Sequence, residues 1–168
     1  MKKNTFTFRQ INSATARQIA VWQYPPPYDV YSFHPEQIEE NVQWLLTPRF
    51  HYYTVWDARE ELIGFRCFGE DARVHGGDYN IDALDLGGGL RPDLTGRGMG
   101  TSFMEAAFTF ARGRFAPAAF RATVMAFNKR ALRVCTRVGY RPVQDFVSPA
   151  SGQRFIVLLR AAGRGAIL

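Results

Sequence analysis

The chain has 168 residues, with 21 Lys and Arg against 15 Asp and Glu, which gives a formal net charge of +6 at pH 7. This length fits one domain, so we expect a single domain over residues 1–168. A composition of 46% hydrophobic and 14% aromatic residues excludes a disordered chain.

Signals for membrane insertion, secretion and metal binding are missing from the sequence. There is no apolar run of about 18 residues, and the alternation from Phe6 to Gln10 interrupts any signal-peptide core. Cys67 and Cys135 lie far apart, and neither they nor the histidines show ligand spacing. We therefore expect a cytoplasmic protein with no membrane partner, no disulfide framework and no metal.

Hydrophobic periodicity predicts the elements of the first half of the chain. In order, these are a strand over 5–11, a helix over 13–23, a loop over 24–33, a helix over 35–46, and strands over 52–56 and 62–68. The loop, which we call the aromatic loop, contains Tyr24, Tyr28, Tyr31 and Phe33. Either its rings pin it to the protein surface, or it covers a ligand.

The second half of the chain continues the mixture of strands and helices. A polar loop over 71–80 precedes a strand over 81–90, a helix over 99–114, a strand over 120–127, a helix over 129–138, and strands over 140–147 and 155–160. Asn128 is expected to cap the helix that ends at Gly139. Gly87–Gly89 inside a strand predicts a bulge or a close approach to the backbone. The order without repeat or linker predicts an α/β domain.

The sharpest local signal is the glycine loop, Thr95–Gly100, between a strand and a helix. Its glycines let backbone amides converge at a helix N-terminus, which favours an anion. A nucleotide-hydrolase phosphate loop needs a lysine that is not found here, and the dinucleotide fingerprint fails because Phe103 stands where its last glycine belongs.

Three segments together resemble the GNAT (Gcn5-related) N-acetyltransferases. The first is Leu90–Thr101, which carries the glycine loop; the second is Asn128–Ala131, and the third is Val138–Tyr140. The resemblance implies the GNAT fold, a central splayed mixed β-sheet flanked by helices. It also implies an acetyl-CoA-dependent N-acetyltransferase that needs no metal and acts by direct attack of an amine in a ternary complex.

In this family acetyl-CoA lies in a V between two splayed strands, here those ending near Leu90 and Phe127. The resemblance places the pyrophosphate on the amides of Gly96–Thr101, and makes the Leu90 amide the oxyanion donor of the reaction. The implied cofactor-binding residues are Gly88, Leu90, Arg91, Thr95, Gly96, Arg97, Gly98, Met99, Gly100, Thr101, Asn128 and Ala131. Arg91 and Arg97 serve phosphates or are simply solvated, and Asn128 can cap its helix and contact pantetheine.

Two positions depart from the family pattern. Thr95 stands where Arg or Gln is usual, at a position whose backbone matters more than its side chain. Cys135 stands where many members carry a tyrosine that protonates the leaving thiolate. Cys135 is therefore either the general acid or a buried core cysteine.

The attacking amine must lose a proton, which a carboxylate normally accepts. Asp82 and Asp85 lie three apart on a predicted strand and so point to opposite faces. We select Asp85 as the catalytic base because it is nearer to Gly87, with a structural aspartate as the alternative and Glu70 as a third candidate.

Tyr28 and Tyr31 are the candidates for the wall of the acceptor pocket, and the arginines of the helix after Asn128, such as Arg130, are expected to be solvated. The acceptor amine belongs to a small molecule or a protein N-terminus, and the oligomeric state is open. The rival interpretation is a GNAT-like module that binds acyl-CoA without turnover. A nucleic-acid partner is disfavoured because no stacked-aromatic RNA motif or helix-turn-helix pattern is found.

Overall fold

The computed structural model describes residues 5–163, so the predicted domain limits, residues 1 and 168, lie outside the described residues. The strands are β1 (Thr7–Gln10), β2 (Tyr53–Trp56), β3 (Leu62–Phe68), β4 (Leu84–Leu90), β5 (Ala119–Met125), β6 (Arg141–Val147) and β7 (Arg154–Ala161). The α-helices are α1 (Ser13–Ala20), α2 (Ile38–Leu45), α3 (Gly100–Phe115) and α4 (Lys129–Arg137). In the described part of the chain, no helix combines the length and apolar character needed to cross a membrane.

The strands form one mixed sheet in the order β1-β2-β3-β4-β5-β7-β6. Neighbouring strands are antiparallel except for β4 and β5, which are parallel. This central parallel pair is joined only at Leu84–Phe120 and Asp85–Arg121, although both strands continue beyond those residues. The resulting V-shaped gap between residues 86–90 and 122–125 is called the cleft below.

Side-chain alternation along β3 and β4 gives the sheet two different faces. Cys67 packs with Ala16, Ile19 and Leu45, so one face carries α1 and α2. Leu86 packs with Phe108 and other residues of α3 and α4 on the opposite face. The cleft therefore opens through the middle of a sheet that is covered by helices on both sides.

The predicted α/β class and the order of strands and helices are confirmed, while several boundaries were wrong. Helix α1 ends at Ala20 rather than Gln23, and β4 begins at Leu84 rather than Ile81. The helix predicted from Pro35 begins with a separate 3₁₀ turn, Pro35–Gln37, before α2. These differences lie at element ends, where local propensity specifies structure least well.

The Gly87–Gly89 segment pairs with β3 without a register shift, so the bulge predicted as one of two alternatives is not formed. The close approach is found instead. Gly88 has a φ of 130°, and a Cβ atom there would collide with the carbonyl oxygen of Phe65 on β3. Glycine is required at position 88 because the neighbouring strand occupies the space of a side chain.

Candidate active site

Backbone groups of β4 line one side of the cleft. The Arg91 N–H donates to the Ile63 carbonyl at 2.8 Å, and the Asp85 carbonyl accepts from the Gly69 N–H at 2.9 Å. Odd-numbered residues of β4 therefore bond to β3, and by alternation the N–H and C=O groups of Gly88 and Leu90 face the cleft. This is the orientation that the roles predicted for Gly88 and Leu90 require.

The Tyr24 side chain reaches this edge from the aromatic loop. Its hydroxyl donates to the Leu90 carbonyl at 2.7 Å, and it lies 2.8 Å from the position that a Cβ atom on Gly89 would occupy. Burial raises the pKa of Tyr24, which keeps the phenol protonated as a donor. The sequence places Tyr24 in the aromatic loop, but no local signal marks its contact with Leu90.

The other end of the aromatic loop contacts the opposite side of the cleft. The rings of Tyr28 and Tyr31 lie 5.8 and 6.1 Å, centroid to centroid, from the ring of Phe127 just after β5. The Asn128 side-chain amide also donates to the Tyr31 hydroxyl at 3.0 Å. The loop is thus held by ring packing and also bridges the cleft, so the two predicted interpretations are compatible. The acceptor-binding roles of Tyr28 and Tyr31 stay predictions.

The glycine loop presents a set of free donors. Within residues 5–163, the N–H groups of residues 96–99 bond to no acceptor. Gly96 and Gly98 have φ values of 74° and 81°, and α3 begins after Met99 with no side-chain cap. Uncapped amides and the helix dipole together favour an anion at this position. A pyrophosphate fits this donor set.

Individual residues of the loop contribute in different ways. The Thr95 hydroxyl and N–H both donate to the Pro92 carbonyl, at 2.8 and 3.2 Å, so both donors of Thr95 are engaged within the protein. No atom lies within 4 Å of a Cβ atom built on Gly98, so this glycine leaves open space. A Cβ atom on Gly100 would lie 2.7 Å from Val134 Cγ2, so the structure assigns Gly100 to close packing of α3 on α4. Thr101 follows in the first turn of α3.

The arginines near the glycine loop have different partners. The Arg91 guanidinium donates to Asp93 at 2.7 Å and to the Leu62 carbonyl at 3.0 Å, which ties it to β3 rather than to the loop. Arg97 is exposed. Arg130 lies 4.7 Å above the Tyr28 ring, with its guanidinium 3.7 Å from the Cβ position of Gly96. Arg130 is exposed, as the sequence predicted, and its guanidinium also lies beside the glycine loop.

Asn128 caps α4, as the sequence predicted. Its side-chain oxygen accepts from the Ala131 N–H at 3.0 Å, while its amide nitrogen donates to Tyr31. Contact of Asn128 and Ala131 with a cofactor stays a prediction.

Asp85, the predicted base, is 1% exposed and both carboxylate oxygens are bound to arginines. Arg121 donates from Nε at 2.6 Å and from Nη2 at 2.7 Å, and Arg73 donates from Nε at 2.8 Å. These contacts fasten β4 to β5 at the last paired position before the cleft. They favour the structural alternative over the role of base. The other candidates fit no better, because Asp82 is exposed before β4 begins and Glu70 pairs with Arg49 at 2.9 Å.

Cys135 is 1% exposed and packs in the core between α3, α4 and the sheet. Burial raises the pKa of its thiol to about 11, so the thiol is neutral at physiological pH. This placement matches the core-cysteine alternative, and the general-acid role stays a prediction.

Arg66 was overlooked at the sequence level. It is the one charged residue among Leu62–Phe68, a run that otherwise reads as a buried strand, and that contrast was the available signal. Arg66 is 5% exposed, on the face of the sheet that carries α3 and α4. For the described residues, no group of three or more His, Cys, Asp or Glu side chains is arranged to hold a metal ion.

Comparison with known proteins agrees with this geometry. A family model described as an acetyltransferase (GNAT) domain matches residues 6–141. A GNAT-family acetyltransferase from Bacillus anthracis superposes with a TM-score of 0.73 and 13% identity, covering 96% of this chain and 98% of that chain. A chimera of the spermidine N-acetyltransferase SpeG from Vibrio cholerae and hSSAT superposes with a TM-score of 0.68 and 14% identity, covering 94% and 95%. At these identities the structures establish a shared fold, and a search of curated protein sequences gave no match.

Proposed function

Because the chain belongs to the GNAT acetyltransferase family, we propose that it transfers an acetyl group from acetyl-CoA to a primary amine. The observation that carries this proposal is the presence of two sets of backbone groups that the sheet and α3 leave unpaired. One is the edge of β4, where the Gly88 backbone and the Leu90 N–H face the cleft while the Leu90 carbonyl bonds to Tyr24. The other is the set of unbonded amides at residues 96–99. The first suits an extended pantetheine arm and the second a pyrophosphate.

In this proposal acetyl-CoA supplies an acetyl thioester whose carbonyl carbon is the electrophile. The Leu90 N–H, which faces the cleft, donates to the carbonyl oxygen as negative charge develops there. Tyr24 holds the Leu90 carbonyl and so fixes the orientation of the following peptide group. The aromatic loop keeps water from one side of the cleft, and Asn128 positions the start of α4 beside it.

Direct attack by the amine in a ternary complex is supported by the cysteines. Cys67 and Cys135 are 3% and 1% exposed, and burial raises both thiol pKa values, to about 12 and about 11. A neutral, buried thiol cannot accept the acetyl group as a nucleophile. We therefore propose that no acyl-enzyme forms.

The aromatic rings beside the cleft point to a class of acceptor. The rings of Tyr28, Tyr31 and Phe127 lie together at one side of the cleft. They favour an amine with an apolar or aromatic part, free or at a peptide N-terminus. Spermidine, the substrate in the name of the Vibrio cholerae neighbour, has no aromatic part.

The first experiment is titration calorimetry of the protein with acetyl-CoA, CoA and ATP in parallel. Binding of both CoA species and not of ATP supports the donor site. Thiol release is then measured with an arylalkylamine, spermidine and a peptide with a free N-terminus. We expect release with the first or third amine. Folded protein that binds no CoA species would contradict the proposal.

A module that binds acyl-CoA without turnover is the second candidate. The observations that favour it are the cysteine at position 135 and the engagement of Asp85 by two arginines. Tight binding of acetyl-CoA with no thiol release across the amine panel would support this alternative.

A further inference from the structure

Arg66 lies on β3 directly opposite Gly88 of β4, at the level where β4 and β5 have separated. Its guanidinium carbon is 4.1 Å from the centre of the Phe103 ring on α3. Its Cδ atom would lie 3.0 Å from a Cβ atom on Gly88. The Arg66 side chain therefore passes beside the Gly88 edge of the cleft, on the face that carries the N-terminus of α3.

Within the described residues, no carboxylate neutralises the Arg66 guanidinium. Arg66 Nε is buried without a hydrogen-bond partner, and no ion pair among residues 5–163 includes Arg66. By contrast, each nitrogen of the Arg121 guanidinium donates to an acceptor, either the Asp85 carboxylate or the Ile81 carbonyl. Burial lowers the pKa of Arg66 to about 10, which leaves it cationic at neutral pH. An unpaired buried cation is costly, so its retention needs an explanation.

The groups beside Arg66 that also lack partners are a second cation and a hydroxyl. Arg160 Nη1 and the Tyr140 hydroxyl are, like Arg66 Nε, buried without a hydrogen-bond partner. Burial and the nearby Cys135 raise the pKa of Tyr140, Arg66 and Arg160 lower it, and Asp85 raises it. The Cys135 thiol also affects the pKa of Arg66. Guanidinium and hydroxyl groups can each donate to an anion, so these unpartnered donors suit an anionic ligand.

Three anions could meet Arg66 during the proposed reaction. The pyrophosphate has its own donors at residues 96–99. A carboxylate on the acceptor would enter on the side of Tyr24, Asp85 and the aromatic loop, which is the opposite face of the sheet. The sulfur of CoA remains, since the resemblance places the thiolate-protonating group at Cys135, one of the groups that acts on Arg66.

We propose that Arg66 is a catalytic residue that stabilises the CoA thiolate as it leaves. This inference rests on the proposed acetyl transfer. The amine nitrogen forms a bond to the acetyl carbon and gives one proton to solvent, while the C–S bond breaks and its electron pair stays on sulfur. The Arg66 cation stabilises the negative charge that develops on the sulfur. This stabilisation takes the place of proton donation by the tyrosine that many family members carry at the position of Cys135. Solvent later protonates the released thiolate.

The test measures the pKa of the CoA thiol bound to the protein by its ultraviolet thiolate absorbance, which requires no acceptor. A cation at contact distance lowers such a pKa by about 1 to 3 units below the pKa of free CoA, which is measured in parallel. We expect this depression in the wild type, its loss in Arg66→Gln, and partial retention in Arg66→Lys. The matched control is Arg9→Gln, because Arg9 also lies on a strand, 4.8 Å from the Trp56 ring, but outside the cleft.

A second measurement uses only the wild type and covers the case in which Arg66→Gln does not fold. CoA affinity should rise about tenfold per pH unit between the bound and free thiol pKa values, while acetyl-CoA, which has no free thiol, should show no such rise. Equal pH dependence of the two ligands, or an unchanged thiol pKa in folded Arg66→Gln, would overturn the role of Arg66. Failure of the wild type to bind either ligand would instead overturn the proposed function.

Discussion

The Tyr24 hydroxyl donates a 2.7 Å hydrogen bond to the Leu90 carbonyl across 66 positions of the chain. Leu90 is the last residue of β4, where the strand no longer pairs with β5. The bond therefore gives a cleft-facing carbonyl a partner that the sheet does not provide, and it anchors the aromatic loop to the residue proposed as the oxyanion donor.

Tyr24→Phe tests this relationship. The change removes one hydrogen bond and keeps the ring, so we expect a loss of about 1 kcal/mol and an approximately fivefold lower kcat/KM with the best amine of the panel. Tyr53→Phe is the control, because the Tyr53 ring packs on Phe68 and Phe110 away from the cleft. Equal kcat/KM values for Tyr24→Phe and the wild type would show that the Leu90 carbonyl needs no partner.

Gly98→Ala tests the proposed role of the glycine loop in binding, and Gly113→Ala in α3 is the matched control. Nothing lies within 4 Å of either added Cβ atom, but Gly98 has a φ of 81° and Gly113 is helical. We expect Gly98→Ala to cost about 1 to 2 kcal/mol and to weaken acetyl-CoA binding, because alanine disfavours the left-handed conformation. Gly113→Ala should raise stability by about 0.5 to 1 kcal/mol with unchanged binding. Thermal unfolding and calorimetric titration measure both effects, and unchanged acetyl-CoA binding by Gly98→Ala would contradict the site.

Asp85→Asn separates a structural aspartate from a base. Removing the carboxylate charge leaves Arg121, which is 1% exposed, without its counter-ion, so we expect destabilisation of about 3 to 5 kcal/mol in urea unfolding. The shape of the kcat/KM profile against pH should stay the same, because the profile then reflects deprotonation of the substrate amine and not of Asp85. A variant of native stability that loses one limb of the pH profile would restore Asp85 as the base.

The buried Cys135 thiol should make the free energy of unfolding depend on pH in the alkaline range. Its thiol pKa is raised by burial from 9.0 to about 11, so the unfolded chain loses this proton first as pH increases. The stabilisation that the neutral Cys135 thiol gives to the folded state is fully present below pH 9.0. It is lost as the pH rises towards 11, at up to about 1.4 kcal/mol of unfolding free energy per pH unit. Urea unfolding between pH 8 and pH 11 should show a shallower fall for Cys135→Ala than for the wild type. Parallel curves would contradict the buried neutral thiol.

The features that could be predicted from the sequence are those that depend on near neighbours in the chain. The glycine loop, its helix and the Asn128 cap follow from residues within a few positions of one another, because turns, caps and helix starts are local in energy. The same local signals, taken together, were enough for the resemblance to the GNAT acetyltransferases that the family model confirms.

Contacts between distant strands set which of the charged residues are paired, and these contacts depend on the tertiary structure. Asp85 meets Arg121 over 36 positions because β4 and β5 run parallel, and this pairing favours a structural aspartate over a base. Among the described residues, Arg66 Nε has no partner, and it lies at the level where the same two strands have separated. Whether a buried charge is neutralised depends on the packing of distant strands, which no local pattern of residues encodes.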